Sequence, residues 1–116
     1  MIAHVVLFTP RPDLSPAARR DLLEALVAAA GDIPSIRQFR VGRRTKHGLP
    51  GYEQVMRDDY EFAAIVEFDD IDGLKTYLAH PSHAVIGRQF TASAVRSLAY
   101  DYEVVDAAAA RALVDS

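Results

Sequence analysis

The sequence predicts an α+β domain of order βαββαβ, with two helices covering one face of a four-stranded antiparallel sheet. Three observations lead there. Segments of strand character, rich in β-branched residues or alternating in polarity, begin at Ile2, Ile36, Tyr60 and Ala99. Between the first and second, and again between the third and fourth, lie helical patterns opened by Ser15-Pro16 and Asp69-Asp70, the order of a split βαβ arrangement. The 116-residue length holds one hydrophobic core but not two independent ones.

The first strand, Ile2 to Thr9, carries Ile2, His4, Val6 and Phe8 on one face and Ala3, Val5 and Leu7 on the other. It is expected to stop where Pro10 and Pro12 remove backbone donors, and its two apolar faces place it in the centre of the sheet. Ser15 offers an N-cap, followed by Pro16 at a helical position that needs no N–H. Leu22, Leu23, Leu26, Val27 and Ala30 form the stripe expected to face the core, and Gly31 is the expected left-handed cap. Ile36 to Arg44 mixes charged and apolar residues, as an edge strand does.

The next stretch runs to Asp59 through Gly48, Pro50 and Gly51, a long loop suited to a lid or a partner contact. Where the edge strand passes into the loop, His47 beside Arg43, Arg44 and Lys46 forms either an anion contact or a plain solvated charge run. Tyr60 to Phe68 repeats the two-sided apolar pattern and belongs beside the first strand. Asp69 or Asp70 caps the second helix, whose Leu74, Tyr77 and Leu78 share a face. Pro81 breaks that helix at His80, and a second helical piece is expected through Phe90 and on toward Ser97. Ala99 to Val105 forms the last strand, so the domain spans residues 1–105 and leaves 106–116 as an alanine-rich tail.

Right-handed crossovers put both helices on one face, which is the ferredoxin-like arrangement. The other sheet face would then expose apolar residues across several strands, so a homodimer packed sheet to sheet is expected.

Composition narrows the function classes. A formal charge of −3 argues against nucleic acid, and no apolar run has the ~18 residues of a membrane span. The apolar N-terminus lacks the basic residues of a secretory signal. The absence of cysteine removes thiol chemistry and suits a cytoplasmic protein. Phosphate-loop and nucleophile-elbow motifs are missing. His80-x-x-His83 with His4 would make a zinc site only if Pro81 left the helix intact, so neither a metal nor another cofactor is expected.

What chemistry there is concentrates in Tyr77-Leu78-Ala79-His80-Pro81-Ser82-His83. His83 is the candidate base, because an imidazole titrates near neutrality, and Tyr77 is its candidate partner. His4 interrupts an apolar strand face and needs a hydrogen-bond partner. If it faces the helices, Tyr77, His83 or a backbone carbonyl is the expected one. The alternative reads His4 as a satisfied core histidine and Tyr77 as a core aromatic.

The motifs Ile2-Ala3-His4-Val5-Val6-Leu7-Phe8, Ile33-Pro34-Ser35-Ile36 with Val41-Gly42, Tyr77 to His83 and Tyr100-Asp101-Tyr102, taken in order, resemble the stress-responsive dimeric α+β barrel (Dabb) family. The resemblance covers Met1 to Val105 and implies a ferredoxin-like subunit that pairs with its twin to form a barrel. It also carries a distant similarity to olivetolic acid cyclase, a plant polyketide cyclase that closes a linear polyketide by aldol condensation without a cofactor. Matched to that enzyme, the catalytic positions fall on His83 and Tyr77, with His4 as the first-strand histidine. A further pocket histidine falls on Phe62 and a pocket tyrosine on Leu26, which makes this pocket more apolar. The implied function is binding of a small apolar or aromatic, polyketide-like molecule, with histidine acid–base chemistry. The alternative is a non-enzymatic stress-responsive homodimer.

Overall fold

The computed structural model describes residues 1–115. Its chain order is β1 (Ile2–Pro10), α1 (Pro16–Asp32), β2 (Gln38–Arg43), β3 (Phe62–Phe68), α2 (Ile71–Ala79), α3 (Pro81–Ser93) and β4 (Ala94–Glu103), followed by a short helix α4 (Ala112–Asp115). The strands line up as β2-β3-β1-β4, each pair antiparallel. The apolar β1 and β3 are therefore central and the charged β2 is an edge, which is the ferredoxin-like α+β topology.

The helices cover the face that carries Ile2, Phe8, Ala64, Val66 and Phe68, and the core is closed from above by Leu22, Leu26, Leu74, Tyr77 and Ile86. Phe8 has no exposed surface and lies 4.7 Å from Phe90 and 5.5 Å from Phe62, ring centre to ring centre.

The buried stripe of α1 is Leu22, Ala25, Leu26 and Ala29, and not the one that includes Val27 and Ala30. Val27 follows Leu26 by about 100° around the helix and is 63% exposed. The small alanines at positions 25 and 29 face the core in its place. Ser15 caps α1 by accepting the Ala18 N–H at 3.1 Å. The helix ends on Ile33 and not at a left-handed Gly31: Pro34 disfavours helical geometry at Ile33, whose extended backbone stops the helix while its N–H still reaches Ala29. Gly48 and Gly51, at φ of 78° and 85°, are the positive-φ residues among those described.

The last strand begins at Ala94, well before the expected Ala99, and α3 stops at Ser93 without reaching Ser97. Pairing with β1 decides this boundary. Phe8 and Thr9 lie opposite Ser97 and Arg96, and an irregularity at Thr9/Pro10 carries the ladder on to Ala94. Strands β2 and β3 start two residues later than Ile36 and Tyr60, and β1 includes Pro10.

By strand alternation Val5, Leu7, Ala63, Ile65 and Leu98 point away from the helices, beside Tyr100 and Tyr102, which are 58% and 52% exposed. The loop between β2 and β3 holds a single 3-10 turn, Glu53–Val55. Asp59 occupies both Arg44 and Lys46 at 2.7 Å, and His47 Nε2 lies 3.3 Å from Glu53. Three of the side chains offered above as an anion contact thus meet carboxylates of their own loop. No helix among the described residues is long and apolar enough to cross a membrane.

Candidate functional site

The site is built by β1, β4 and the corner between α2 and α3. His4 is an inward residue of β1, and antiparallel register puts Asp101 of β4 directly opposite it. Asp70 caps α2 by accepting the Gly73 N–H at 2.9 Å. The helix then turns Tyr77 down onto the sheet, where it is 2% exposed. Pro81 forces the break, and His80 stands between the two helices with extended backbone at φ −73° and ψ 143°. His83 follows in the first turn of α3.

These elements bring the three sequence-predicted residues together. The Tyr77 ring lies 4.9 Å from the His83 ring and 5.6 Å from the His4 ring, edge-on to both. All three line a cavity of about 330 Å³ between helices and sheet, walled otherwise mainly by apolar groups of Val6, Leu26, Ile86 and Phe90. Leu26, the position matched to a pocket tyrosine, is thus an apolar wall, whereas Phe62 lies away from the cavity and stacks on Phe8.

Burial sets the protonation of the pair. It pushes the Tyr77 phenol up to about 12, with no hydrogen bond contributing. Burial also lowers the His83 imidazole, the nearby His4 lowers it further, and the Leu78 backbone acts in the opposite direction. Near neutral pH the pair is a protonated phenol beside an uncharged imidazole, which is a donor next to a base.

The partner of His4 is neither Tyr77, nor His83, nor a carbonyl. Its Nδ1 lies 2.6 Å from Asp101 Oδ1. In the neutral ring a carboxylate on Nδ1 holds the proton there and leaves Nε2 with its lone pair. Asp101 is the residue at this site that the sequence reading missed, and pairing the first strand antiparallel with the last was the signal that would have found it. His47 lies elsewhere, against Tyr52 and Glu53. His80 turns its Nδ1 to the Ser82 N–H at 3.0 Å. No group of three or more His, Cys, Asp or Glu suited to a metal ion occurs among the described residues.

The family model of the stress-responsive A/B barrel domain, Dabb, matches residues 2–104. The chain belongs to the Dabb family. A dimeric protein of unknown function with a ferredoxin-like fold from Bacteroides fragilis is 28% identical over 89% of this chain and 95% of its own, with a TM-score of 0.66. A Dabb protein from Mesorhizobium loti is 22% identical over 90% and 96%, with a TM-score of 0.70. A hydroxynitrile lyase from Passiflora edulis reaches a TM-score of 0.77 over 90% and 94% at only 10% identity, a likeness of fold alone. No curated protein matches the chain.

Proposed function

We propose that this Dabb protein binds a small, largely apolar or aromatic molecule of polyketide type in the cavity between helices and sheet, and that His83 with Tyr77 and His4 acts on it by cofactor-free acid–base chemistry. The observation that carries the reading is the convergence of His4, Tyr77 and His83 on one cavity of about 330 Å³. That volume lies at the small end of ligand pockets, which run from roughly 300 to 1,000 Å³.

In the proposed reaction the neutral His83 imidazole takes a proton from the carbon next to a substrate carbonyl. The resulting enolate oxygen is held by the Tyr77 hydroxyl, a donor that keeps its own proton. The enolate carbon attacks a second carbonyl of the same molecule, and the imidazolium returns its proton to the new alkoxide. His4, oriented by Asp101, presents Nε2 to the same space and positions either the substrate or the phenol.

The protein is proposed to work as a homodimer through the sheet face of Val5, Leu7, Ile65, Leu98, Tyr100 and Tyr102. An apolar face of this extent needs a cover, and the Bacteroides fragilis relative is described as dimeric. A second reading, a non-enzymatic dimer, is favoured by the way Tyr77 packs at 5.3 Å against Phe68 and at 6.5 Å against Phe39, as a core aromatic would.

The two readings separate in a screen of polyketide-like and aromatic compounds against wild type, His83→Ala and Tyr77→Phe. Turnover by wild type that both substitutions abolish supports the acid–base reading. Equal binding by all three proteins with no turnover supports the non-enzymatic one.

A further inference from the structure

His80 is the histidine of the Tyr77–His83 stretch that does not line the cavity. It is at once the residue that ends α2 and the residue that begins α3. Its N–H reaches the Tyr77 carbonyl at 3.2 Å, and its carbonyl accepts the His83 N–H at 3.0 Å and the Ala84 N–H at 3.2 Å. Those bonds belong to the backbone and any residue would make them. The imidazole adds one that depends on its identity: Nδ1 accepts the Ser82 N–H at 3.0 Å.

We propose that His80 is a positioning residue of the site, its imidazole capping α3 so that the corner between the helices holds His83 against Tyr77. This rests on the reading of Tyr77 and His83 as the working pair. The physical case is one of leverage. Tyr77 and His83 sit on different helices, so their 4.9 Å contact depends on the angle at His80. Pro81 removes one N–H from the first turn of α3, and His83 lies in that same turn, where an uncapped helix frays. The Ser82 hydroxyl, donating to Asp32 at 2.9 Å, ties the same turn to α1 but leaves the Ser82 N–H to His80.

The test follows the His83 imidazole by NMR titration in the ligand-free protein, together with hydrogen exchange of the Ser82 amide. In wild type the His83 midpoint is expected below the ordinary imidazole value, because burial lowers it. His80→Ala is expected to move that midpoint upward as the turn loosens and the ring meets water, and to speed exchange at Ser82. His80→Asn, whose short amide can accept the same N–H, is expected to restore both. Should His80→Ala not fold, His80→Gln carries the test, as an uncharged amide of the wrong reach that is expected to fail where asparagine succeeds. A substitution that only lowered stability would shift the melting temperature and leave the His83 midpoint in place. An unchanged midpoint and unchanged Ser82 exchange in His80→Ala would overturn the proposal, as would asparagine and glutamine behaving alike. If the midpoint responds as expected but no variant binds or turns over any compound, the positioning role stands and the acid–base reading falls.

Discussion

Replacing Tyr77 by phenylalanine separates a residue kept for packing from one kept for chemistry. The side chain is 2% exposed, and burial alone lifts its phenol to about 12. A hydroxyl wholly removed from water without a partner costs ~1–3 kcal/mol on scales drawn from protein mutations. The Tyr77 oxygen is not among the fully buried unpartnered side-chain atoms of the described residues and bears only part of that cost. This one borders a cavity of about 330 Å³, so water entering that space offsets part of the cost. Phenylalanine keeps the ring contacts with His4, Phe68 and His83 and removes only the oxygen. Tyr77→Phe is therefore expected to gain ~0.5–1.5 kcal/mol of stability from the removed penalty. In a domain of this size that is about 2–8 °C in melting temperature. Urea unfolding of wild type and variant at one fixed protein concentration measures it, the concentration mattering because a dimer's apparent stability depends on it. The same variant is expected to lose turnover, the trade expected of a polar group held in place for function. A loss of stability of ~1 kcal/mol would refute the reasoning, because that is what removal of a satisfied hydrogen bond produces.

Phe8→Ala should cost ~3–5 kcal/mol, the range for an aromatic emptied from a packed core, and urea unfolding should bring the variant close to the stability limit of a small domain. For Asp101→Asn we expect a small change in stability, since the Asp101 side chain is 44% exposed, together with a marked fall in turnover and a change in the His4 nitrogen shifts that report its tautomer. The pH dependence follows from the lowered His83 imidazole. Because the folded protein binds that proton less readily than the unfolded chain, the stability due to His83 is intact above about pH 6.5 and falls as pH drops from there toward the lowered value. Urea midpoints from about pH 8 to pH 5 should show this slope in wild type and a flatter one in His83→Gln. Leu98→Asp on the open sheet face should convert a dimer to a monomer in sedimentation, whereas Val27→Asp on the exposed side of α1 should leave the dimer intact.

Much of the fold could be read from the chain because each local signal was unopposed. The two-sided apolar pattern of β1 and β3, the Ser15 cap and the Pro81 break have no competing reading. The end of α1 at Ile33 was misread against a local signal, the Pro34 that follows it, while the other main misreadings fall where a non-local contact decides. Helix α3 gives way to β4 at Ala94 because β1 offers a pairing edge there, and no local propensity encodes that. Val27 is as apolar as Leu26, so only the placement of the helix on the sheet shows which of them is buried. At the site, His4, Tyr77 and His83 stood out by residue type and spacing. Asp101 did not, since an aspartate among the alternating residues of a last strand looks like an ordinary outward charge until the register sets it opposite His4. His80 was hidden differently, because histidine is outside the usual set of N-cap residues and its role depends on the single bond to Ser82.

The central claim, that a small aromatic ligand enters the cavity beside His83 and Tyr77, is tested most directly by imidazole NMR during titration with a neutral phenolic ketone. The chain's four histidines make internal reporters. His83 and His4 line the cavity and are expected to shift in a saturable way, while His47, in the loop against Tyr52, stays still. A response confined to His47, or none at any histidine up to the solubility of the compound, would contradict it.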